Sequence, residues 1–259
     1  MRAKLFSGLV AVAAASLTSS AFAEGFYISG TLGNSNQSSS MNSGSFTSGF
    51  TTGAVTGVTP PLDIPAGAGL GWKTEFDTDL LYSGAFGYDY GKLRVELQLN
   101  RTEANVNRHD GVTAADIDLS NIDAGVLISG NVGDLGVSTG VLVADGTGET
   151  ETTTVMINGY YDFEFDGDIT PYIGFGIGSA STDVSFAPSN TPILDDDDTS
   201  FAWQLILGAD YAIAENVSFF GNYRYFTAED ASVNVNLVPA TLDIELESHI
   251  FEIGLKYSF

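Results

Sequence analysis

From Gly25 onward the chain alternates, residue by residue, between large apolar side chains and small or polar ones, in eight separate stretches. In residues 79–90, Leu80, Tyr82, Phe86, Tyr88 and Tyr90 oppose Asp79, Ser83, Ala85, Gly87 and Asp89. In residues 93–100, Leu93, Val95, Leu97 and Leu99 oppose Arg94, Glu96, Gln98 and Asn100. Residues 25–33, 153–165, 171–180, 201–211, 217–226 and 248–259 repeat the pattern. Successive side chains of a strand point to opposite faces, so each stretch is a strand with one greasy face and one polar face. The stretches run to roughly nine to thirteen residues, the length at which a tilted strand crosses a bilayer.

Such alternation also describes a soluble sandwich, in which one face is wet and the other buried. The connectors decide between the two. Residues 90–92, 166–168 and 212–216 are tight links, whereas 34–76, 102–152, 181–200 and 227–247 are long, and the two kinds take turns. A transmembrane barrel has this asymmetry, with short periplasmic turns and long external loops. Tyr and Phe gather near strand ends, as interfacial girdles require, and all seven prolines lie in loops or at a strand start. The expected fold is all-β: a transmembrane up-and-down antiparallel barrel of eight strands over residues 24–259. Residues 122–132 and 135–145 also alternate around Gly133-Asp134 and would make ten strands if they crossed the membrane. No Phe, Trp or Tyr occurs between Tyr90 and Tyr160, so these residues are expected to form a hairpin above the membrane within the second external loop.

Composition narrows function mainly by exclusion. Thirty-three acidic residues against nine basic ones give a net charge of −24, which removes the electrostatic basis of nucleic-acid binding. There is no cysteine, hence no disulfide, thiolate metal site or cysteine nucleophile, and the only histidines are His109 and His249. Residues 1–23 read as a cleaved secretory signal peptide: Arg2 and Lys4 form a basic start, Leu5 to Leu17 an apolar run too short to span a bilayer, and Ala21-Phe22-Ala23 a small-x-small cleavage site.

The strands themselves resemble a known family. Gly25-Phe26-Tyr27-Ile28-Ser29-Gly30, Leu93-Arg94-Val95-Glu96-Leu97, Tyr160-Tyr161-Asp162-Phe163, Thr170-Pro171-Tyr172-Ile173-Gly174-Phe175-Gly176, Phe201-Ala202-Trp203-Gln204-Leu205 and Tyr223-Arg224-Tyr225-Phe226 are similar to the OmpA-like and opacity-type eight-stranded barrels, outer-membrane surface antigens of Gram-negative bacteria. The closing Gly254-Leu255-Lys256-Tyr257-Ser258-Phe259 resembles the C-terminal signal that the barrel assembly machinery reads, carried by Tyr257 and Phe259. The resemblance implies an outer-membrane location, with outer-membrane lipid and lipopolysaccharide as surroundings and the assembly machinery as a partner during insertion. It implies a role in membrane structure, adhesion or recognition through the loops. The alternatives of another class are a small-solute channel and an outer-membrane enzyme.

Arg94, Glu96, Gln98, Asn158, Asp162, Asp210, Asn222, Arg224, Glu252 and Lys256 fall on the inward face. An eight-stranded barrel is just wide enough for side chains to fill, so these groups are expected to plug the lumen as a structural polar network. Arg224 and Glu252 each stand seven residues from the periplasmic end of neighbouring strands, within reach of a direct cross-strand pair. His109-Asp110, in an external loop, is read as a solvated pair rather than an acid–base couple, and His249 as an outward interfacial residue. Asp195-Asp196-Asp197-Asp198 lacks calcium-loop spacing and is read as a solvated acidic loop. Residues 33–57, rich in Ser, Thr, Asn and Gly, are expected to be mobile. No catalytic, cofactor or metal site is expected.

Overall fold

A computed structural model describes residues 24–144, 146–190 and 192–259, so the expected signal peptide lies outside the described residues. The strands are β1 (Gly25–Gln37), β2 (Ser40–Phe46), β3 (Phe50–Thr51), β4 (Asp63–Ile64), β5 (Gly69–Phe76), β6 (Thr78–Asp89), β7 (Leu93–Ala114), β8 (Ile117–Asp118), β9 (Gly148–Asp162), β10 (Ile169–Phe186), β11 (Leu194–Ala214), β12 (Val217–Val235) and β13 (Ala240–Ser258). Eight of them close a ring in the order β1, β6, β7, β9, β10, β11, β12, β13 and back to β1, every neighbour antiparallel. Closure pairs both edges of every strand, which a barrel in hydrocarbon requires because an unpaired backbone group there finds no water. Among the described residues no helix is long and apolar enough to cross a membrane.

The ring is much taller than its membrane segment. Where β1 and β6 run out, β2 and β5 replace them: β13 pairs β2 at Ala240 and Phe46, β2 pairs β5 at Ser40 and Thr74, and β5 pairs β7 at Leu70 and Ala114. The wall therefore stays eight strands wide beyond the belt. Its chemistry reverses on the way. In its lower part apolar side chains face outward and stay half exposed around the ring, with Leu97 at 49% and Ile253 at 58%. In the upper part the apolar side chains point inward and pack as one cluster that includes Phe186, Leu194, Val233, Leu242 and Ile244, all essentially inaccessible. Hydrocarbon outside the lower belt accepts apolar faces; water outside the upper wall drives them into the interior.

Several expectations about the loops are corrected by this arrangement. Much of 34–76, 102–152, 181–200 and 227–247 is strand: β7 reaches Ala114, β10 reaches Phe186, β11 begins at Leu194 and β12 reaches Val235. The tight links survive at 90–92 and 215–216, and the third widens to 163–168. Residues 122–144 form no β-hairpin. They carry a 3-10 turn at Ala124–Leu127 and a short helix, α1 (Thr139–Val143), joined by one antiparallel bridge between Asp123 and Ser138; Asp145 lies outside the described residues. Their apolar residues alternate over too short a span to distinguish a strand from turns packed on a core; Val126 and Val143 are buried in the upper cluster, and Ala124 is buried as well. Residues 33–46 are likewise built into the wall, as the end of β1 and β2, and residues 47–57 fold over its core. Phe46 and Val55 enter the core, and the buried Ser40 hydroxyl donates to Asn42 Oδ1 at 2.6 Å while Asn42 Nδ2 donates to Thr74 Oγ1 at 2.6 Å. Composition suggested mobility because the ordering comes from neighbours distant in sequence.

Candidate functional site

The interior of the lower belt is a continuous polar network. Three cations, Arg94, Arg224 and Lys256, face four carboxylates, Glu96, Asp162, Asp210 and Glu252, and all seven are buried. Arg94 Nη2 lies 2.8 Å from Asp162 Oδ1 and 3.3 Å from Asp210 Oδ2, and Lys256 Nζ donates to Asp210 Oδ2 at 3.0 Å. Nearer the outside, Arg224, 1% exposed, is paired with Glu252 and also donates to Gln98 Oε1 at 2.9 Å and Asn100 Oδ1 at 3.2 Å. The ladder sets Asn222 opposite Glu252 and Arg224 opposite Ile250, so the ion pair is diagonal rather than direct. Asn158 Nδ2 donates to Gln98 Oε1 at 2.9 Å and to Glu96 Oε1 at 3.2 Å, and Asn222 Nδ2 donates to Glu252 Oε1 at 2.8 Å. The cavity left among these groups is about 10 Å3, room for one water.

Three tyrosines also belong to the network. The Tyr27 and Tyr160 hydroxyls donate to Glu96 at 3.1 and 2.8 Å, and the Arg94 guanidinium lies 4.7 Å from the Tyr172 ring centre and 4.9 Å from that of Tyr160. Tyr160 and Tyr172 are aromatic, as girdle residues are, yet their parity with Asn158, Asp162 and Thr170 marks them as inward. A second signal lies across the ladder. Tyr27 faces Gly87, Tyr160 faces Gly174, Tyr172 faces Gly208 and Phe220 faces Gly254. A Cβ on any of these glycines would come within 2.6 Å of the opposing ring, so glycine there makes room for an inward aromatic.

At the outer edge of the belt, Trp203, Tyr223, Tyr225 and His249 form an aromatic group. Ring centres are 5.7 Å apart for Trp203 and Tyr225 and 5.5 Å for Tyr225 and His249, and the Tyr223 hydroxyl is hydrogen bonded to His249 Nδ1 at 2.7 Å. Above it, register sets Glu103, Glu151, Asp183 and Asp197 side by side on β7, β9, β10 and β11. Glu151 is paired with Arg101. Partial burial, and then Asp183, Glu103 and Glu149, lift its carboxyl above the usual range against the pull of Arg101. The acidic run is not a free loop: Asp196 Oδ2 accepts from the Asn234 backbone N–H and side-chain amide at 2.9 Å each, and Asp198 Oδ2 accepts from the Ser232 N–H at 2.9 Å. The ladder between β11 and β12 is interrupted between Leu194 and Ala202, and these carboxylates take over bonding to the β12 backbone there.

His109 is not in a solvated loop. It lies on β7 inside the upper barrel, 2% exposed, with Nδ1 hydrogen bonded to Thr74 Oγ1 at 2.8 Å and its ring 4.7 Å from Phe186. Asp110 turns to the opposite face and pairs with Arg108 Nη2 at 3.1 Å. Tyr257 faces outward at the end of β13 with its ring 5.3 Å from that of Phe259, and Asn216 Nδ2 donates to the Tyr257 hydroxyl at 3.1 Å. Among the described residues no group of three or more His, Cys, Asp or Glu is arranged to hold a metal ion.

Comparison with known proteins places this geometry. The family model for the outer membrane protein beta-barrel domain matches residues 5–259. Outer membrane protein PagN of Salmonella typhimurium is 31% identical over 124 residues, 43% of this chain and 51% of PagN, so the match spans about half of that protein. The outer membrane protein OprG from Pseudomonas aeruginosa superposes with a TM-score of 0.54 at 18% identity, covering 93% of this chain and 98% of that one. Neisserial surface protein A matches at 14% identity and a TM-score of 0.49, over 90% of this chain and 97% of that one. A closed ring with an apolar belt outside, a polar plug inside and an aromatic edge is what such a family demands, and the chain belongs to the outer membrane protein beta-barrel domain family, an eight-stranded barrel of the bacterial outer membrane.

Proposed function

We propose that the protein is a surface protein with a plugged barrel, serving membrane structure and adhesion or recognition through its extracellular half. The observation that carries this reading is the luminal network: three cations and four carboxylates are buried across the belt interior, and the cavity bordered by Arg94, Glu96, Arg224, Glu252 and Lys256 is only about 10 Å3. A solute path would need these buried pairs broken, and removing one partner of a buried pair is strongly unfavourable. The extracellular half, with a wall raised well beyond the belt, supplies surface for contact instead. The reading includes no catalysis: His109 and Asp110 occupy opposite faces and share no pocket. Its partners are outer-membrane lipid and lipopolysaccharide around the belt and, during insertion, the barrel assembly machinery acting on Tyr257 and Phe259. Planar-bilayer recording is expected to give no sustained conductance from the purified barrel, while screening against glycans and matrix proteins finds a ligand that the isolated membrane belt does not hold. Steady open-channel currents from the native protein would replace this reading with the small-solute channel.

A further inference from the structure

We propose that the extracellular half of the barrel holds a binding site for a small, uncharged, apolar molecule, about the size of a substituted benzene. The site is a cavity of about 190 Å3 between the wall and the loops that cap it. Phe46, Leu70 and Ala114 form its wall on β2, β5 and β7, and Val58, Ile64 and Val126 form its roof. Interiors are close-packed, with few voids larger than a water, so a space of this size is unusual; Leu242 and Ile244 of the same cluster are fully buried and border none of it. The space lies where loops meet wall. An engineered apolar cavity of about 150 Å3 stays dry and takes up benzene, so this one has both the volume and the lining for such a guest. A smaller pocket of about 40 Å3 shares Leu70, Leu127 and Val238 with it and ends on His109, extending the apolar space inward.

The class of ligand follows from the lining, which is almost wholly apolar and whose few polar groups have partners within the protein. Thr52 Oγ1 accepts from the Leu62 N–H at 2.9 Å, and Asp63 Oδ1 accepts from the Thr51 hydroxyl at 2.7 Å. A polar guest would give up its water without finding a partner, whereas an apolar one gains dispersion contacts that the empty walls lack. Leu62 and Ile117, each 43% exposed, border the cavity where β8 pairs with the outer end of β7, so a guest would reach it from the extracellular side. This site goes beyond the surface role proposed above and stands whether or not the loops bind a macromolecule.

The test uses the full barrel in lipid nanodiscs with isotope-labelled Ile, Leu and Val methyl groups, titrated with toluene. Methyl resonances of Val58, Ile64, Leu70 and Val126 are expected to shift and saturate, while lipid-facing Leu97 and Ile253 drift in proportion to toluene dissolved in the bilayer. Ala114→Leu and Val126→Phe, made separately to fill the cavity, are expected to keep the heat-modifiable fold and weaken saturation by at least about tenfold. Linear drift at all methyls of the native protein, with no saturation, overturns the proposal whatever the variants do. Saturation unchanged in a folded cavity-filled variant overturns it as well. Absence of macromolecular binding in a protein that takes up toluene would remove the surface reading and leave this site standing.

Discussion

Near its end, β13 turns Phe251, Ile253, Leu255 and Tyr257 outward and Glu252 and Lys256 inward; near its start it turns Asp243 and Glu245 outward and Leu242 and Ile244 inward. The strand keeps its alternation throughout, and the ladder to β12 shifts register only between Ala228 and Ala231. What changes is the solvent. Around the belt the outside is hydrocarbon, so the charged groups have only the lumen to occupy and must pair there. Above the belt the outside is water, and the same wall folds as a soluble barrel would, around an apolar core. Two interiors in one ring thus rest on different forces: ion pairs and hydrogen bonds below, hydrophobic burial above.

The contrast can be broken most severely from below. Arg224→Ala or Glu252→Ala leaves an uncompensated charge in the lumen and is expected to lower unfolding stability by about 3–5 kcal/mol. Urea unfolding in detergent, followed by loss of heat-modifiable mobility, reads this out, and the double variant should lose less than the sum of the two singles. An equal and small effect from each single would mean that the pair is not a support of the belt. In the upper half Ile244→Ala should cost about 2–3 kcal/mol, toward the low end of the range for a buried isoleucine because a loop-capped end can relax. Native-state hydrogen exchange should then speed up in β2, β5 and the start of β13 while the belt stays protected. Loss of protection in both halves together would show them to be one cooperative unit.

The smallest effects concern the outer charged face, where pH should act with two signs. Asn234, through its N–H and its amide, holds the Asp196 carboxyl below the usual range, so its contribution is present at neutral pH and lost as pH falls through that lowered value. Glu151 is held above the usual range, so its penalty is present above the raised value and relieved as pH falls through it. Mild acidification should therefore favour the wall around Glu151, and stronger acidification weaken the seam between β11 and β12. Asp183→Asn should bring the Glu151 titration down and raise the urea midpoint slightly at neutral pH, by less than either change above. Carboxyl NMR titration checks this; an unmoved Glu151 titration would show that Asp183 does not act on it.

Legibility in the sequence differed between the halves for a definite reason. The belt alternates bulky apolar residues such as Leu93, Val95, Leu97 and Leu99 with charged ones, a contrast too strong to miss. The wall above it alternates too: Leu242, Ile244 and Leu246 against Asp243, Glu245 and Glu247. That run sits in register with the belt but with polarity exchanged, and a search for strands with the belt's phase reads it as loop. In residues 33–57 most side chains are small and polar on both faces, such as Ser40 and Asn42 inside and Ser43 outside, and the apolar Met41 points out, so hydropathy does not mark the parity.

The choice of eight strands over ten leaned on the want of aromatic residues between Tyr90 and Tyr160; by itself the sequence determined the period of the strands, the membrane-facing parity and the inward parity of the charged residues. These follow from local alternation, because side-chain direction in a strand depends on nothing beyond parity. Only the tertiary structure decided that Arg224 reaches Glu252 diagonally, that Tyr160 and Tyr172 brace the plug opposite glycines, and that Asp196 and Asp198 bond to β12. It alone placed Val126 and Val143 over the upper core and left the cavity beneath Val126. Register and packing are set by residues far apart in the chain, and no local pattern carries the relative height of two strands or the shape of the space between them.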